Sequence, residues 1–479
     1  MPVYMVGGAV RDALLGRASY DWDFALPVDT LRAARRVANQ IGAAYFPLDE
    51  ERNTARLILV DENGERMKLD FAELRGETLE ADLRARDFTI NAMAFDVRRP
   101  QELLDPLAGA ADLRAKIIRA CSATSFTDDP LRVLRGVRQA TAFGFQIQPQ
   151  TRAWMKASAA GLTRVSPERL RDELFRILSG RRVDVCIRVM ERLGALPYAL
   201  PELTALKDVS QSPPHHFDVW EHTLQVVAQL DRILALLAPN YDEEKSASFA
   251  FGLLTLRLGR YRQALDAHLA THLNTDRSLR PLLFLAALYH DIAKPVMRSV
   301  DEQGKIHFYG HDETGGRLAA GRAQALHLSN AEGERLQMIV RHHMRPFLLG
   351  QSGSAPTSRA IYRFFRACGA AGVDICILSL ADFLGTYGAS LPQEEWGKHL
   401  DLIRTLLEAW WEHPQEVVAP TPLVNGSDLI EALHLSPGPQ IGKLLEAIRE
   451  AQAAGQATNR AQAMELARDL LMGKSLTDL

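Results

Sequence analysis

Cysteine is scarce in this chain: Cys121, Cys186, Cys368 and Cys376 are the only four among 479 residues. None has the short spacing of a zinc or redox motif, so neither a disulfide framework nor a thiolate metal site is expected, and the usage fits a reducing compartment such as the cytoplasm. The N-terminus, MPVYMVGGAVRD, lacks the basic segment, apolar stretch and small-residue cleavage site of a signal peptide. No apolar run approaches the ~20 residues that cross a bilayer, which predicts no membrane partner. Low-complexity blocks and repeats with a period of about 20–50 residues are missing too, which excludes solenoids. Net charge is only −3, too little of either sign for a generic polyanion or polycation binder. The composition, 47% hydrophobic and 24% charged, is that of a globular protein, and the length calls for several domains.

The informative stretch is Gly7-Gly8-Ala9-Val10-Arg11-Asp12, followed by Asp21-Trp22-Asp23. Tyr4 to Val6 read as a buried strand, the glycines as a turn that brings backbone close to a ligand, and Val10 to Leu15 as a helix. The free N–H groups at that helix start suit phosphate. Asp21 and Asp23, two apart on a strand, point to one face. Such a pair repels itself unless a cation intervenes, and hard oxygen ligands suit Mg²⁺. Asp70, in Lys68-Leu-Asp-Phe71, is a candidate third carboxylate. Ala55–Val60 and Arg66–Phe71 predict a hairpin around Asp61-Glu-Asn-Gly64, while Leu31–Ile41 and Arg86–Phe95 predict helices. Arg86, Asp87 and Asn91 are polar residues in the otherwise apolar run RDFTINAMAF, and buried polar groups need partners.

Downstream the pattern turns helical. A helix opening at Pro130 places Asp129, Arg132 and Arg135 at three-residue steps on one face. A carboxylate accepts from the exocyclic amine of cytosine or adenine, and a guanidinium donates to the adjacent ring nitrogen. Uracil and guanine present the reverse pattern, so this pair is suited to choosing CTP and ATP. Between Phe126 and Ala195, 13 Lys and Arg stand against 7 Asp and Glu, an excess of six positive charges that fits a phosphate-backbone partner.

GGAVRD with LLG, the DWD pair, RDFTINAMAF, LLDPLAGAADL and FTDDPLRVLRGVR, in this order, resemble the tRNA nucleotidyltransferases of the bacterial class, the CCA-adding enzyme family of the polymerase-beta-like superfamily. The resemblance covers about residues 1–205. It implies that Asp21 and Asp23 bind Mg²⁺, that Gly8 and Arg11 contact the triphosphate, and that Arg86 and Asp87 serve the ribose and phosphates, with Gly7, Asp12 and Asn91 also expected to bind the nucleotide. Asp129 and Arg132 would read the base, with Arg135 and Arg138 contacting the nucleotide. CTP, ATP and tRNA are the implied partners; no feature points to an oligomeric state. Two positions depart from the family pattern: Asp128 replaces the usual Glu, and Ala85 replaces an Arg, with Arg84 one step earlier. Only 13 residues separate Asp70 from Arg84, a short segment that the resemblance links to enzymes adding CC alone. A poly(A) polymerase on the same head, and a phosphohydrolase whose head only senses nucleotide, are the competing readings.

Further along come His222, His290-Asp291, His311, Arg341-His342-His343 and Asp382. An adjacent His-Asp pair at a helix end, with a His upstream and an Asp downstream, points to a metal, and mixed imidazole and carboxylate ligands suit Mn, Fe, Ni, Co or Mg. The order His…His-Asp…Asp resembles the HD phosphohydrolase domain over about 210–390. It implies His222, His290, Asp291 and Asp382 as ligands of one divalent ion, His311 with His342 or His343 for a second, and phosphatase or 2′,3′-cyclic phosphodiesterase chemistry. The expected fold is α+β: an α/β head (1–122), a helical neck (123–206), an all-α HD domain (207–390) and a helical tail (391–479).

Overall fold

The computed structural model describes residues 2–60, 64, 66–241, 248–351 and 355–472. They form an α+β chain of two compact units, Met1–Pro201 and Glu202–Leu479. The predicted head–neck boundary falls inside the first unit and the HD–tail boundary inside the second.

In the first unit, β1 (Tyr4–Val6), α1 (Gly8–Leu14), β2 (Asp21–Leu26), α2 (Thr30–Ile41), β3 (Ala44–Asp49), β4 (Thr54–Val60), β5 (Arg66–Glu73), α3 (Leu79–Arg84), β6 (Ala94–Asp96) and β7 (Arg99–Leu104) follow in order. The seven strands make one mixed sheet, β3-β4-β5-β2-β1-β6-β7. β2 pairs parallel with β5, placing Asp23 beside Asp70 and Asp21 beside Lys68. α2 closes one face over Leu26, Leu57, Leu69 and Phe71. β4 and β5 pair as the predicted hairpin; Asp61, Glu62 and Asn63 of its turn lie outside the described residues.

The predicted helix over Arg86–Phe95 is not there. Thr89–Asn91 make one 3₁₀ turn and β6 follows. Tertiary bonds override helical periodicity here: Phe88 bridges to Ala120, and the Asn91 amide donates to Asp87 and Gln139. Helices then take over: α4 (Gly109–Ala115), α5 (Ser125–Asp128), α6 (Arg132–Phe143), α7 (Pro149–Ser158), α8 (Pro167–Ser179) and α9 (Val183–Arg192).

The second unit is helical apart from a two-stranded hairpin, Ser299–Val300 with Ile306–His307. Its most apolar helix lies in Ala371–Ser390, 20 residues of mean hydropathy 1.2 that match a membrane span in length and composition. That departs from the expectation of no such run, but 72% of the stretch is buried inside the protein, so it is a core helix. Gly385 on this helix lets it approach Val219–Leu236 closely: an added Cβ would stand 2.8 Å from Val226 Cγ2 and 3.1 Å from its backbone N. Asp382, one turn before Gly385, thereby meets His222, one turn before Val226. Gly385→Ala should therefore destabilise the second unit by ~1–3 kcal/mol, read as a lower denaturation midpoint.

Candidate functional site

A cavity of about 720 Å³ in the first unit is lined by every expected metal- or nucleotide-binding residue of the head and neck, Asp70 apart. Gly7 sets its floor. Its φ of 77° is a left-handed value, and a Cβ there would stand 2.9 Å from Asp23 Oδ2 and 3.1 Å from Arg86 Nη1. Only glycine lets the turn pass beneath both charged groups. Asp23 follows on β2 directly opposite Val6. Burial pushes its carboxyl up, and Asp70 and Asp21 push the same way against the pull of Arg86. A buried carboxyl raised by neighbouring acids is short of positive charge, the condition that a divalent cation relieves.

Asp70 lies in register with Asp23 but does not line the cavity. Arg56, its cross-strand partner on β4, holds it with two bonds of 2.7 Å. Asp70 thus stands beside the acidic pair with both of its oxygens on Arg56.

Seven arginines line the cavity: Arg11, Arg75, Arg86, Arg132, Arg135, Arg138 and Arg169. Arg75 and Arg169 were not anticipated from sequence. Arg75 has no motif around it, and Arg169 arrives on α8, 40 residues beyond the Asp129 that it binds at 2.8 Å. Arg84, adjacent to the missing family Arg, bonds Glu80 and does not line the cavity, whereas Arg75 does. Asp87, buried, is held down to about 2: burial opposes ionisation, but Arg135 and the Asn91 amide outweigh it. It braces Arg135 at 2.9 Å.

At the Asp129/Arg132 end of the cavity the helix starts later than the sequence predicts. α6 begins at Arg132, and Asp129 precedes it in extended conformation, φ −144° and ψ 97°. Asp129 still lines the cavity, because the Leu131 N–H donates to its Oδ1 at 3.2 Å and Arg169 holds its Oδ2. Arg132 donates to the carbonyls of Ala85 (2.8 Å) and Arg86 (3.2 Å), which fixes its fork. Arg138 is tied to the fully buried Glu173 at 2.6 Å. Asp129 and Arg132 thus each have fixed partners and line the same cavity as the acidic pair.

The second unit gathers His222, His290, Asp291 and Asp382. His222 Nε2 lies 3.1 Å from Asp382 Oδ1 and 3.5 Å from Asp291 Oδ2; His290 Nε2 lies 3.2 Å from Asp291 Oδ2 and 3.8 Å from Asp382 Oδ1. A second group faces the other oxygen of Asp291: His311 Nε2 at 3.4 Å and His343 Nε2 at 3.8 Å. His290, His311 and His343 each bond a main-chain carbonyl through Nδ1 at 2.8 Å. A carbonyl only accepts, so Nδ1 carries the proton and Nε2 turns a lone pair inward. His222 Nε2 and His290 Nε2 are buried without hydrogen-bond partners, as expected of atoms built to meet a cation. The donor set fits a divalent metal.

His342, named for the second group, is not part of it. On a helix, neighbours diverge by about 100°, and it is His343 that turns inward. His342 faces Arg345, Arg341, Asp312 and Glu313; burial and the two arginines lower it to about 4. Sequence reasoning also passed over Lys294, whose Nζ lies 2.6 Å from Asp291 Oδ2 and donates to Gln211 Oε1 at 2.6 Å.

Comparison with known proteins agrees with this geometry. Family models match in the order poly A polymerase head domain (3–119), "Probable RNA and SrmB-binding site of polymerase A" (144–207), HD domain (255–374) and tRNA nucleotidyltransferase domain 2 (406–467). His222 and Asp382 fall outside the matched HD segment, although the fold brings them to it. The A-adding tRNA nucleotidyltransferase of Deinococcus radiodurans is 34% identical, covering 94% of this chain and 92% of its own. The CC-adding tRNA nucleotidyltransferase of Thermus thermophilus is 32% identical, covering 96% and 92%. A solved CCA-adding enzyme without ligand shares the fold at a TM-score of 0.61 and 20% identity, covering 100% of this chain and 92% of that one. Likeness over almost the full length of both curated relatives, in a chain whose cavity assembles that family's motifs, makes this a bacterial tRNA nucleotidyltransferase carrying an HD domain.

Proposed function

We propose that the first unit adds C and/or A to the 3′ end of tRNA without a template, consuming CTP or ATP and releasing pyrophosphate. The observation that carries this reading is the sharing of one cavity by the Asp21/Asp23 pair and the Asp129/Arg132 pair. Asp21 and Asp23 would hold Mg²⁺, which neutralises charge on the phosphates and favours attack by a hydroxyl. The tRNA 3′ oxygen forms the new bond to the α-phosphorus while the bond to pyrophosphate breaks. Arg11, Arg75 and Arg86 sit where they can bind the charge that leaves. Asp129 accepts from the exocyclic amine of cytosine or adenine and Arg132 donates to the adjacent ring nitrogen, while uracil and guanine leave both groups unpaired.

A groove of about 770 Å³ on the same unit is rimmed by Arg152, Lys156, Arg182 and Arg192 over a floor of Ile147, Val185, Val189 and Leu193. No acidic residue lines it, which suits the phosphate backbone of tRNA recognised by shape. The short Asp70–Arg84 segment favours a product of two cytidylates; the A-adding relative favours a single adenylate as the second reading. Incubation of tRNA lacking the terminus, and of tRNA ending in CC, with each triphosphate decides. Two cytidylates on the first substrate and none on the second support CC addition. A lone adenylate on the second supports the alternative, and a complete CCA or a long adenylate ladder contradicts both.

We further propose that the second unit hydrolyses phosphate esters, as a phosphatase or 2′,3′-cyclic phosphodiesterase that clears damaged tRNA ends in the cytoplasm. His222, His290, Asp291 and Asp382 would hold one divalent ion, and Asp291, His311 and His343 a second. Ions there supply a polarised water and a Lewis acid for attack on phosphorus. Cleavage of 2′,3′-cyclic AMP by the Mn²⁺- or Co²⁺-supplemented chain supports this; equal activity in Asp291→Ala contradicts it.

A further inference from the structure

α6 carries more than the base-reading arginine. Arg132, Arg135, Gln139 and Phe143 follow at steps of three, four and four, so they share one face of the helix. Each meets the cavity wall in turn. Arg132 holds the carbonyls of Ala85 and Arg86, Arg135 holds Asp87, and Gln139 Oε1 accepts from the Asn91 amide at 3.0 Å. At the last step the Phe143 ring lies against Arg11, its centroid 4.6 Å from the guanidinium carbon, and against Arg17 at 5.1 Å.

Arg11 is thereby held on three sides. Asp12 takes its Nε and Nη2 at 2.9 and 2.8 Å, and Asn91 Oδ1 takes Nη1 at 2.6 Å. These contacts occupy N–H groups of the guanidinium; the ring contact draws on its charge instead. Hydrogen-bonded partners must be exchanged when a phosphate arrives, because a guanidinium offers a limited number of N–H directions. A ring contact need not be, since the cation–π attraction depends weakly on rotation within the guanidinium plane. Phe143 alone can keep Arg11 in place while Asp12 or Asn91 gives way to a triphosphate oxygen. Both Asn91, through Gln139, and Arg11, through Phe143, are tied to the helix that begins at Arg132.

We propose that Phe143 is a positioning residue for nucleotide transfer: its ring holds Arg11 toward the triphosphate and links that end of the cavity, along one face of α6, to the end that reads the base. The inference rests on the reading that Arg11 serves the triphosphate. Phe143→Leu removes the ring and keeps apolar bulk, Phe143→Tyr keeps the ring, and Arg11→Ala removes the held group. Steady-state kinetics with tRNA, and equilibrium binding of CTP by the full-length protein, are read on all three and on the double variant. Phe143→Leu should raise KM and Kd for CTP roughly 3–10-fold with kcat changed less, at an unchanged melting temperature. Phe143→Tyr should bind CTP as the parent does. In the Arg11→Ala background Phe143→Leu should cost nothing more, the mark of two residues acting through one contact. Unchanged CTP affinity in Phe143→Leu, additive losses in the double variant, or a Tyr variant as weak as the Leu variant would overturn the proposal. If Arg11→Ala itself binds CTP as the parent does, the reading of Arg11 fails instead, and the proposal with it.

Discussion

Asp23→Asn should abolish nucleotide transfer, lowering kcat at least about 1,000-fold, while the protein in metal-free buffer melts no lower than the parent. Both halves follow from one arrangement. The Asp23 carboxyl is pushed up by burial, with Asp70 and Asp21 adding to the effect. An acid whose folded-state pKa is raised detracts from stability once it ionises, so its neutral isostere relieves a cost in the absence of a cation. The same charge is what a cation needs. The expected result is an inactive protein at least as stable as the active one, read from single-turnover incorporation and thermal melts in EDTA. A melting temperature several degrees lower would show that Asp23 is structural, and retained incorporation would remove it from the site.

Asp291→Asn should empty both metal groups of the second unit together, weakening divalent metal binding at least about 100-fold. Each oxygen of Asp291 faces a different group, Oδ2 toward His222 and His290, Oδ1 toward His311 and His343. An amide keeps one oxygen but turns an N–H donor toward the other side and removes the charge. His343→Gln should lose the second group alone, and His342→Gln neither. Equilibrium dialysis against Mn²⁺ or Co²⁺ followed by metal analysis separates these outcomes. Full metal content in Asp291→Asn, or a larger loss in His342→Gln than in His343→Gln, contradicts the assignment.

Local chemistry was legible in the sequence. Glycine turns, two-residue alternation and a helix start depend on neighbours in the chain, and Gly7, Gly8, Arg11, Asp21 and Asp23 stand in one cavity as their spacing implied. What escaped depends on residues far apart. The Arg86–Phe95 stretch has helical periodicity, but Phe88 bridges to Ala120 and Asn91 bonds Gln139, both remote in the chain, and the segment turns into a strand. Pro130 predicts a helix face that includes Asp129, but Asp129 is extended ahead of α6 and its carboxylate is bound by Arg169 on α8. Asp70 has a carboxylate's spacing, and only the pairing of β4 with β5 reveals that Arg56 occupies it. His342 and His343 are equivalent to a motif, and only the turn of the helix tells them apart.

The most direct test is base choice by Arg132→Ala. Each of the four ribonucleoside triphosphates is offered singly to parent and variant, with tRNA lacking its terminus, and incorporation rates are compared. In the parent, CTP or ATP should exceed UTP and GTP by orders of magnitude. In the variant that ratio should shrink about 10–100-fold, because the group that rejects the wrong ring edge is gone. A variant that is slower yet as selective as the parent would mean that something other than the Asp129/Arg132 pair chooses the base.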